Sequence, residues 1–436
     1  MIARYPMASP RRRSARRRLV AAVVVVGALL AGCGGDEGAA SSDSVVRLSF
    51  WSGYAGPNAS ALESIVDEFN AANPGIRVEM NFMPWDVFFR NLLPAYSSEG
   101  GPDLAAFDST RLAQYAKKGV LAPVDDWFAA DPASNVLVTA ATEAVTYDGH
   151  KYAVPMTFTS LKLHYNRTLF AEAGLDPDQP PTTWDGWRHV MAELTEDRDR
   201  DGTPERYGLA LPDHDTTPTW PIALWGGGGD LLEPDGARSA LTRPESVAAV
   251  RTWVELLRED HISPVGLTGE AAEALFREGK AAMMITGPWA TTGFQSAGID
   301  FDVAPVPPGP VRQVTFGATT SLALNARLTP AKKQAAHEFL SFWVSEHAQE
   351  AWMAGSGYPS IRLDQYSLAG NPFVAEFADD ARIARPLMPG TVEFAKIYED
   401  VFEPAIRDVV AGEVDVEDGL GAAARRIDEI LAESSR

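Results

Sequence analysis

The chain has 436 residues, of which 38 are basic and 59 acidic, for a formal net charge of −21, and 45% are hydrophobic. Residues 1–32 hold seven of the arginines and no acid, so the remainder carries 31 basic against 59 acidic groups and a charge of −28. A surface that acidic repels nucleic acid and anionic membrane, and a single cysteine excludes an intramolecular disulfide.

At the N-terminus, six arginines between Arg11 and Arg18 precede Leu19 to Leu30, an apolar run of twelve residues. A bilayer-spanning helix needs about 20 residues. The basic start, the short apolar centre and the small Ala31 and Gly32 have the layout of a secretory signal, so residues 1–32 are expected to be a removed signal peptide. Leu30-Ala31-Gly32-Cys33 resembles the lipobox of bacterial lipoproteins, which implies a diacylglyceryl anchor on Cys33. Arg16-Arg17-Arg18-Leu19-Val20 also fits twin-arginine export, and that route and the Sec route both stay open. Residues 33–44 are small and polar, have nothing to bury, and read as a flexible tether. No later apolar run reaches the ~18 residues of a membrane helix. The chain beyond the tether is long enough to build two domains.

Val45 to Trp51 alternates at Val46, Leu48 and Phe50 and predicts a strand. Leu62, Ile65, Val66 and Phe69 share one helical face, predicting a helix over 59–71 that Asn73-Pro74-Gly75 stops. Ile76 to Met80 alternates again, and strand, helix, strand with short joints implies a parallel sheet. A strand at Leu104 to Phe107, a helix at Leu112 to Lys118, strands at Ala281 to Ile285 and Ser321 to Asn325, and one helix over Ala335 to Trp352 continue the α/β pattern. Loops are expected at 197–208, 211–221, 225–230 and 305–313. In an open α/β sheet such loops hold the ligand beyond the carboxyl ends of the strands. Several set an aromatic beside a polar group: Trp51 with Tyr54, Phe107 with Asp108, Trp220 with Asp215, and Trp289 after Gly287-Pro288. That pairing suits a sugar, which offers a C–H face to a ring and hydroxyls to polar groups.

Enzyme signatures are missing: there is no nucleophile elbow, no phosphate loop, no dinucleotide fingerprint and no zinc-protease motif. The seven histidines lack ligand spacing. Asp197, Asp199, Asp201 and Gly202 match the first half of a calcium loop, yet the twelfth position is Gly208 where a bidentate Glu is needed. A turn without metal is therefore expected, with calcium left open, and no cofactor is called for.

Five passages in order, GGPDLAAFDSTRLAQYAKKGVLAPVDD (100–126), the stretch 147–187 with YDGHKYAVPMTFTSLKLHYN and PPTTWDGW, DGTPERYGL (201–209), FREGKAAMMITGPW (276–289) and FGATTSLALNARLTPAKKQAAHEFLSFW (316–343), resemble the extracellular sugar- and maltodextrin-binding proteins of bacterial ABC importers. The resemblance implies an α/β, two-lobe, type II periplasmic-binding-protein-like fold, with a ligand cleft between lobes joined by crossing hinge strands. It puts the crossings near Pro155 to Ser160, Phe316 to Ser321 and Leu363 to Pro372. One lobe is then 45–157 plus 318–366 and the other 158–317 plus 367–436.

By the same resemblance Trp51 and Tyr54 lie at the cleft rim, and Phe107 takes the place of a stacking tryptophan. Thr110 and Arg111 stand where maltodextrin binders carry an Asp-Arg pair. Asp108 is the acid used by binders of smaller sugars, and Thr159 departs from a usually acidic or amide position. Asp215 and Trp220 match an acid and a tryptophan-bearing stretch. Trp289 is the second-lobe stacking aromatic, solvent-facing in an open form, and Gly317 is a hinge glycine. The implied function is an extracytoplasmic, lipid-anchored binding protein, not an enzyme, that is monomeric and delivers a mono- or oligosaccharide to ABC permease subunits. A polyol, a glycerol-phosphate-type solute or a peptide is the alternative cargo, and an exported carbohydrate-active hydrolase the alternative class. If Cys33 carries the anchor, Cys33→Ser releases the protein from membranes with ligand affinity unchanged. Membrane retention of that variant on fractionation would exclude the lipobox.

Overall fold

A computed structural model describes residues 45–98, 100–365, 373–378 and 383–434. Cys33, the lipobox and the tether lie outside them, as does most of the third expected crossing. Residues 44–436 form one compact unit, with no helix among the described residues long and apolar enough to cross a membrane.

The chain opens with strand β1 (Val46–Ser52), helix α1 (Gly56–Ala72) and strand β2 (Ile76–Phe82). β1 and β2 pair in parallel from Val46↔Ile76 to Ser52↔Phe82. The periodic residues behave as their spacing requires: Leu62, Ile65, Val66 and Phe69 are buried with Leu48 and Phe50 beneath the sheet. Helix α2 (Trp85–Ser97), which the sequence pattern does not announce, comes immediately after. Its Pro94 lies inside the helix, has no amide to give to the Arg90 carbonyl, and so breaks the hydrogen-bond ladder one turn before the helix ends. β3 (Leu104–Asp108) joins β1 in parallel, and a short turn over Ser109–Arg111 leads into α3 (Leu112–Lys117).

The sheet is mixed where a parallel one was expected. β4 (Ala153–Ser160) and a ten-residue strand, Thr315–Leu324, pair antiparallel with each other, and the latter also pairs antiparallel with β3. The two long strands run between two cores. Val154, Met156, Leu322 and Leu324 belong to the core of the first sheet, whereas Leu161 and Phe316 belong to a second one. Pairing continues across the junction, with the Leu161 amide donating to Phe316 O at 3.1 Å and Thr315 Oγ1 donating to Leu161 O at 2.7 Å. The second core surrounds a three-stranded antiparallel sheet of β5 (Lys162–Asn166) between β6 (Met283–Thr286) and β7 (Phe301–Ala304).

The single helix expected over 335–352 is two helices, Pro330–Trp343 and Glu346–Ser356. Ser345 breaks it: its Oγ accepts the Ala348 amide at 3.2 Å and caps the second helix, an alternative that a serine offers the backbone and an aliphatic residue does not. The chain ends in a helical run from Phe394 to Ala411, with a π-turn at Tyr398–Phe402, and a helix over Val416–Ser434.

His164 on β5 is wholly buried, with its ring 5.9 Å from Phe294 and Phe377 and 6.0 Å from Phe301. Its Nε2 has no partner among the described residues, and burial, with Lys162 nearby, pulls its pKa down to about 3. An unfolded histidine takes up a proton below pH ~6.5. Between there and about pH 3 the unfolded chain therefore binds a proton that the folded one refuses, and stability falls as pH falls, by up to about 1.4 kcal/mol per unit. Urea denaturation from neutral pH to about pH 4 should show His164→Phe losing less stability than the parent, by about one proton's worth of slope.

Candidate functional site

The carboxyl ends of β1 and β3, the crossing strands and segments of the second core converge on one surface. After β1 the chain turns at Gly53, where a Cβ would lie 2.0 Å from Trp85 Cδ2, so glycine lets the Trp85 indole lie on the backbone. Gly287 does the same for Trp289, since a Cβ there would meet Cζ3 at 2.0 Å. Each glycine seats a tryptophan.

The rings form a ladder. Tyr54 lies 5.5 Å from Trp85 and 5.3 Å from Trp352, which stacks on Tyr358 at 5.7 Å; Tyr358 in turn faces Trp289 at 6.1 Å. Trp289 is half-buried and packs against both cores and a third cluster around Phe276 and Phe294. Its Nε1 donates to Glu273 Oε1 at 3.2 Å, and burial raises the Glu273 pKa despite that bond. Tyr54 is 5% exposed and its hydroxyl has no hydrogen-bond partner among the described residues, although Thr157, Thr320 and Tyr358 lie near it. Burial pushes that phenol up to about 12.

A charged group adjoins the rings. Asp108 Oδ1 accepts from the Thr110 amide at 2.9 Å and the Thr110 hydroxyl at 2.8 Å, which fixes the turn that presents Arg111. The Arg111 guanidinium lies 4.0 Å above Phe89 and 6.0 Å from Phe394, and pairs with Glu399 in the π-turn. Burial lowers its pKa, opposed by Asp108, Tyr115, Glu403 and Asp400. Glu403, one turn beyond Glu399, is pushed up to about 8, first by burial and then by Asp215, with Asp213 adding to the effect and Arg111 and Arg407 opposing it.

The sequence-predicted residues divide. Asp108, Arg111 and Trp289 stand in this surface, and Thr110 positions the turn. Tyr54 lies in its floor instead of at a rim. Phe107 is wholly buried, its ring 4.7 Å from Tyr115, so it is core; Phe89 lies between it and Arg111. Trp220 is 2% exposed within a helix over Trp220–Gly226 and is core as well. Thr159 is buried in β4 with its hydroxyl on Ser160 O at 3.2 Å. Trp51 is half-buried against the cluster of Phe88 and Phe107. Asp215 is exposed, on a left-handed backbone of φ 46°, and acts on Glu403. Gly317 has no left-handed backbone, and a Cβ there would meet Ala384 at 3.4 Å, an ordinary contact, so neither conformation nor packing singles out glycine at this position.

Tyr358, Trp85, Phe89, Glu273, Glu399 and Glu403 were missed. Trp85 with Phe89 and Glu399 with Glu403, each at i, i+4, are the two pairs among them with a visible spacing. In the acidic loop the Asp197, Asp199 and Asp201 carboxylates come within 4.8 Å of one another. They accept the Gly202, Asp201 and Thr203 amides at 2.9, 3.1 and 2.8 Å respectively. Gly208 offers no carboxylate to complete a calcium site.

A sequence model of the family described as bacterial extracellular solute-binding protein matches residues 55–350. A Brucella abortus protein is 27% identical over 394 residues, covering 87% of this chain and 91% of its own. The maltotriose-binding protein of Pyrococcus abyssi is 28% identical over 254 residues, 56% of this chain and 50% of that one. An ABC transporter solute-binding protein of Thermotoga lettingae, solved with α-D-tagatose, superposes with a TM-score of 0.80 at 23% identity, over 88% of this chain and all of that one. UgpB of Mycobacterium tuberculosis, solved with glycerophosphocholine, gives 0.78 at 21% identity, over 89% and 99%. The fold is that of type II periplasmic solute-binding proteins.

In this structure Trp289 packs against both cores. Trp289→Ala should cost about 2 kcal/mol of stability, part of what a wholly buried tryptophan loses. An unmoved denaturation midpoint would show that the ring is not part of the packing.

Proposed function

This chain belongs to the bacterial extracellular solute-binding proteins, and from that premise we propose that it binds a mono- or oligosaccharide outside the cytoplasm and delivers it to the membrane subunits of an ABC importer. The observation that carries the reading is the ring ladder from Trp289 through Tyr358 and Tyr54 to Trp85, placed beside Asp108 and Arg111 at the junction of the two cores. Aromatic rings in edge-to-face and tilted contact, with the part-exposed Trp289 and Trp85 at the two ends and polar groups beside them, match the C–H faces and hydroxyls of a pyranose. The maltotriose and tagatose bound by relatives support the same class.

The lobes in this reading are 45–157 with 318–366 and 158–317 with 367–436, closing about the paired crossing strands because a ligand touching both favours the closed state. Cys33 holds the protein, as a monomer, to the outer face of the membrane. A phosphate-bearing cargo is disfavoured. It needs several cationic donors, and Arg111 already has Glu399 as partner with further acids around it. The family consists of binding proteins rather than enzymes, which weighs against a hydrolase.

A thermal-shift screen against mono- and oligosaccharides tests the proposal. A saccharide at about 100 times its Kd adds about 2.7 kcal/mol and raises the Tm. No shift with any saccharide, alongside a shift with a phosphodiester or a peptide, would replace the proposed cargo.

A further inference from the structure

Trp289 is held at both edges of its ring from its own side of the junction. It sits in a short turn, Pro288–Ala290, directly after β6. The benzene edge of the indole lies on Gly287, where a Cβ would come 2.0, 2.3 and 2.4 Å from Cζ3, Cη2 and Cε3. The opposite edge carries Nε1, which donates to Glu273 Oε1 at 3.2 Å. Glu273 stands on the helix Gly269–Arg277, whose Ala272 and Phe276 join Met284 of β6 in the cluster against which Trp289 packs. Both clamps therefore belong to the same packed unit as the indole. Tyr358, which faces the ring at 6.1 Å, belongs to the core of the first sheet.

The carboxylate does something for Trp289 that packing does for other tryptophans. Trp187, Trp220, Trp343 and Trp352 are buried, and their Nε1 atoms have no partner among the described residues, so enclosure by neighbours fixes those rings. Trp289 is only half-buried and is enclosed less completely. The torsion that sets an indole plane is broad, and a ring with an open side needs a polar anchor to hold one plane. Among the described residues the Trp289 indole is the one side-chain donor to Glu273. Burial raises the pKa of that carboxyl, with Glu270 adding to the effect and the indole and Arg277 opposing it, so the anchor gives up hydration to stand there.

Resting on the saccharide-binding reading, we propose that Glu273 is a positioning residue of the cleft: through Nε1 it fixes the plane of Trp289, so that the face a sugar stacks on is set before the lobes close. Stacking depends on the relative plane and offset of the two partners, and a ring ordered in advance loses less freedom on binding. Because Glu273 and Gly287 lie on the indole's own side, they keep holding it when Tyr358 moves away with the other core. Glu273 acts through the indole and needs no contact with the sugar.

A double-mutant cycle tests this by calorimetry, with maltose, maltotriose and D-tagatose as probes and the tightest of them carried through the series. Glu273→Leu, or Glu273→Ala should the first fold poorly, should weaken binding about fivefold, the scale of ordering one side chain. Glu273→Gln, which keeps an acceptor oxygen, should stay within about twofold of the parent. On a Trp289→Phe background, with no N–H to hold, Glu273→Leu should change affinity by less than about twofold. In the sugar-free protein, hydrogen exchange of the Trp289 indole N–H, identified by its loss in Trp289→Phe, should be at least about tenfold faster in Glu273→Leu than in the parent. That exchange decides the matter should the double variant bind too weakly to measure. A sugar that binds regardless of Glu273→Leu, an equal loss on both backgrounds, or unchanged exchange overturns this inference and leaves the saccharide reading standing. If none of the three sugars binds, both fall.

Discussion

The pairing of the two crossing strands is the constraint on which the rest of the molecule depends. β4 and the strand Thr315–Leu324 register from Ala153↔Ala323 to Ser160↔Gly317, and each leaves one core and enters the other. Their backbone groups must be satisfied inside a low-dielectric junction, and antiparallel pairing does so without side chains. Neither core can therefore shift along the strand direction relative to the other without breaking ladder bonds, whereas twisting and bending of a two-stranded ribbon cost less. The ligand surface lies where this ribbon meets the ends of β1 and β3, so the same element that joins the cores also fixes Thr157 and Thr320 beneath the rings.

Across that junction the contacts are of two kinds. The aromatic ones are broad and tolerant of small displacements: Trp289 touches both cores, and its indole is anchored at one edge by Glu273. The ionic one is narrow. Arg111 is held over Phe89 and reaches Glu399, which a π-turn carries. A π-turn rotates the residues after it relative to an ordinary helix, and such turns recur at functional sites. Here it brings Glu399 to the guanidinium while leaving Glu403 on the same side.

Local periodicity explains which parts of the fold were legible. The face of Leu62, Ile65, Val66 and Phe69 sets α1, and the alternation at Leu48 and Phe50 sets β1, because burial acts on each segment separately. What escaped has causes beyond a short window. The mixed sheet arises because one long strand must serve two cores, and no local pattern encodes that. α2 carries a proline, and its apolar run resembles a strand as readily as a helix. At the site, Trp289, Asp108 and Arg111 were legible through flanking motifs. Phe107 was misread because its place at the end of a strand leaves open which face its ring takes, and Trp220 because an aromatic in a loop-like stretch says nothing about which way the ring turns. Tyr358 was invisible: it comes after a helix that ends at a left-handed Gly357, and only the tertiary packing of Trp352 and Trp289 gives it meaning.

These contacts also bear on how a ligand works in such a cleft. Trp289 against Tyr358 and Arg111 with Glu399 make contacts across the junction of the two cores. A ligand shifts an equilibrium only by its differential affinity for the two states. A solute that inserted between Arg111 and Glu399 without replacing their charge interaction would weaken the closed form it is meant to favour. One that keeps the pair and adds contacts to both sides of the junction would favour it.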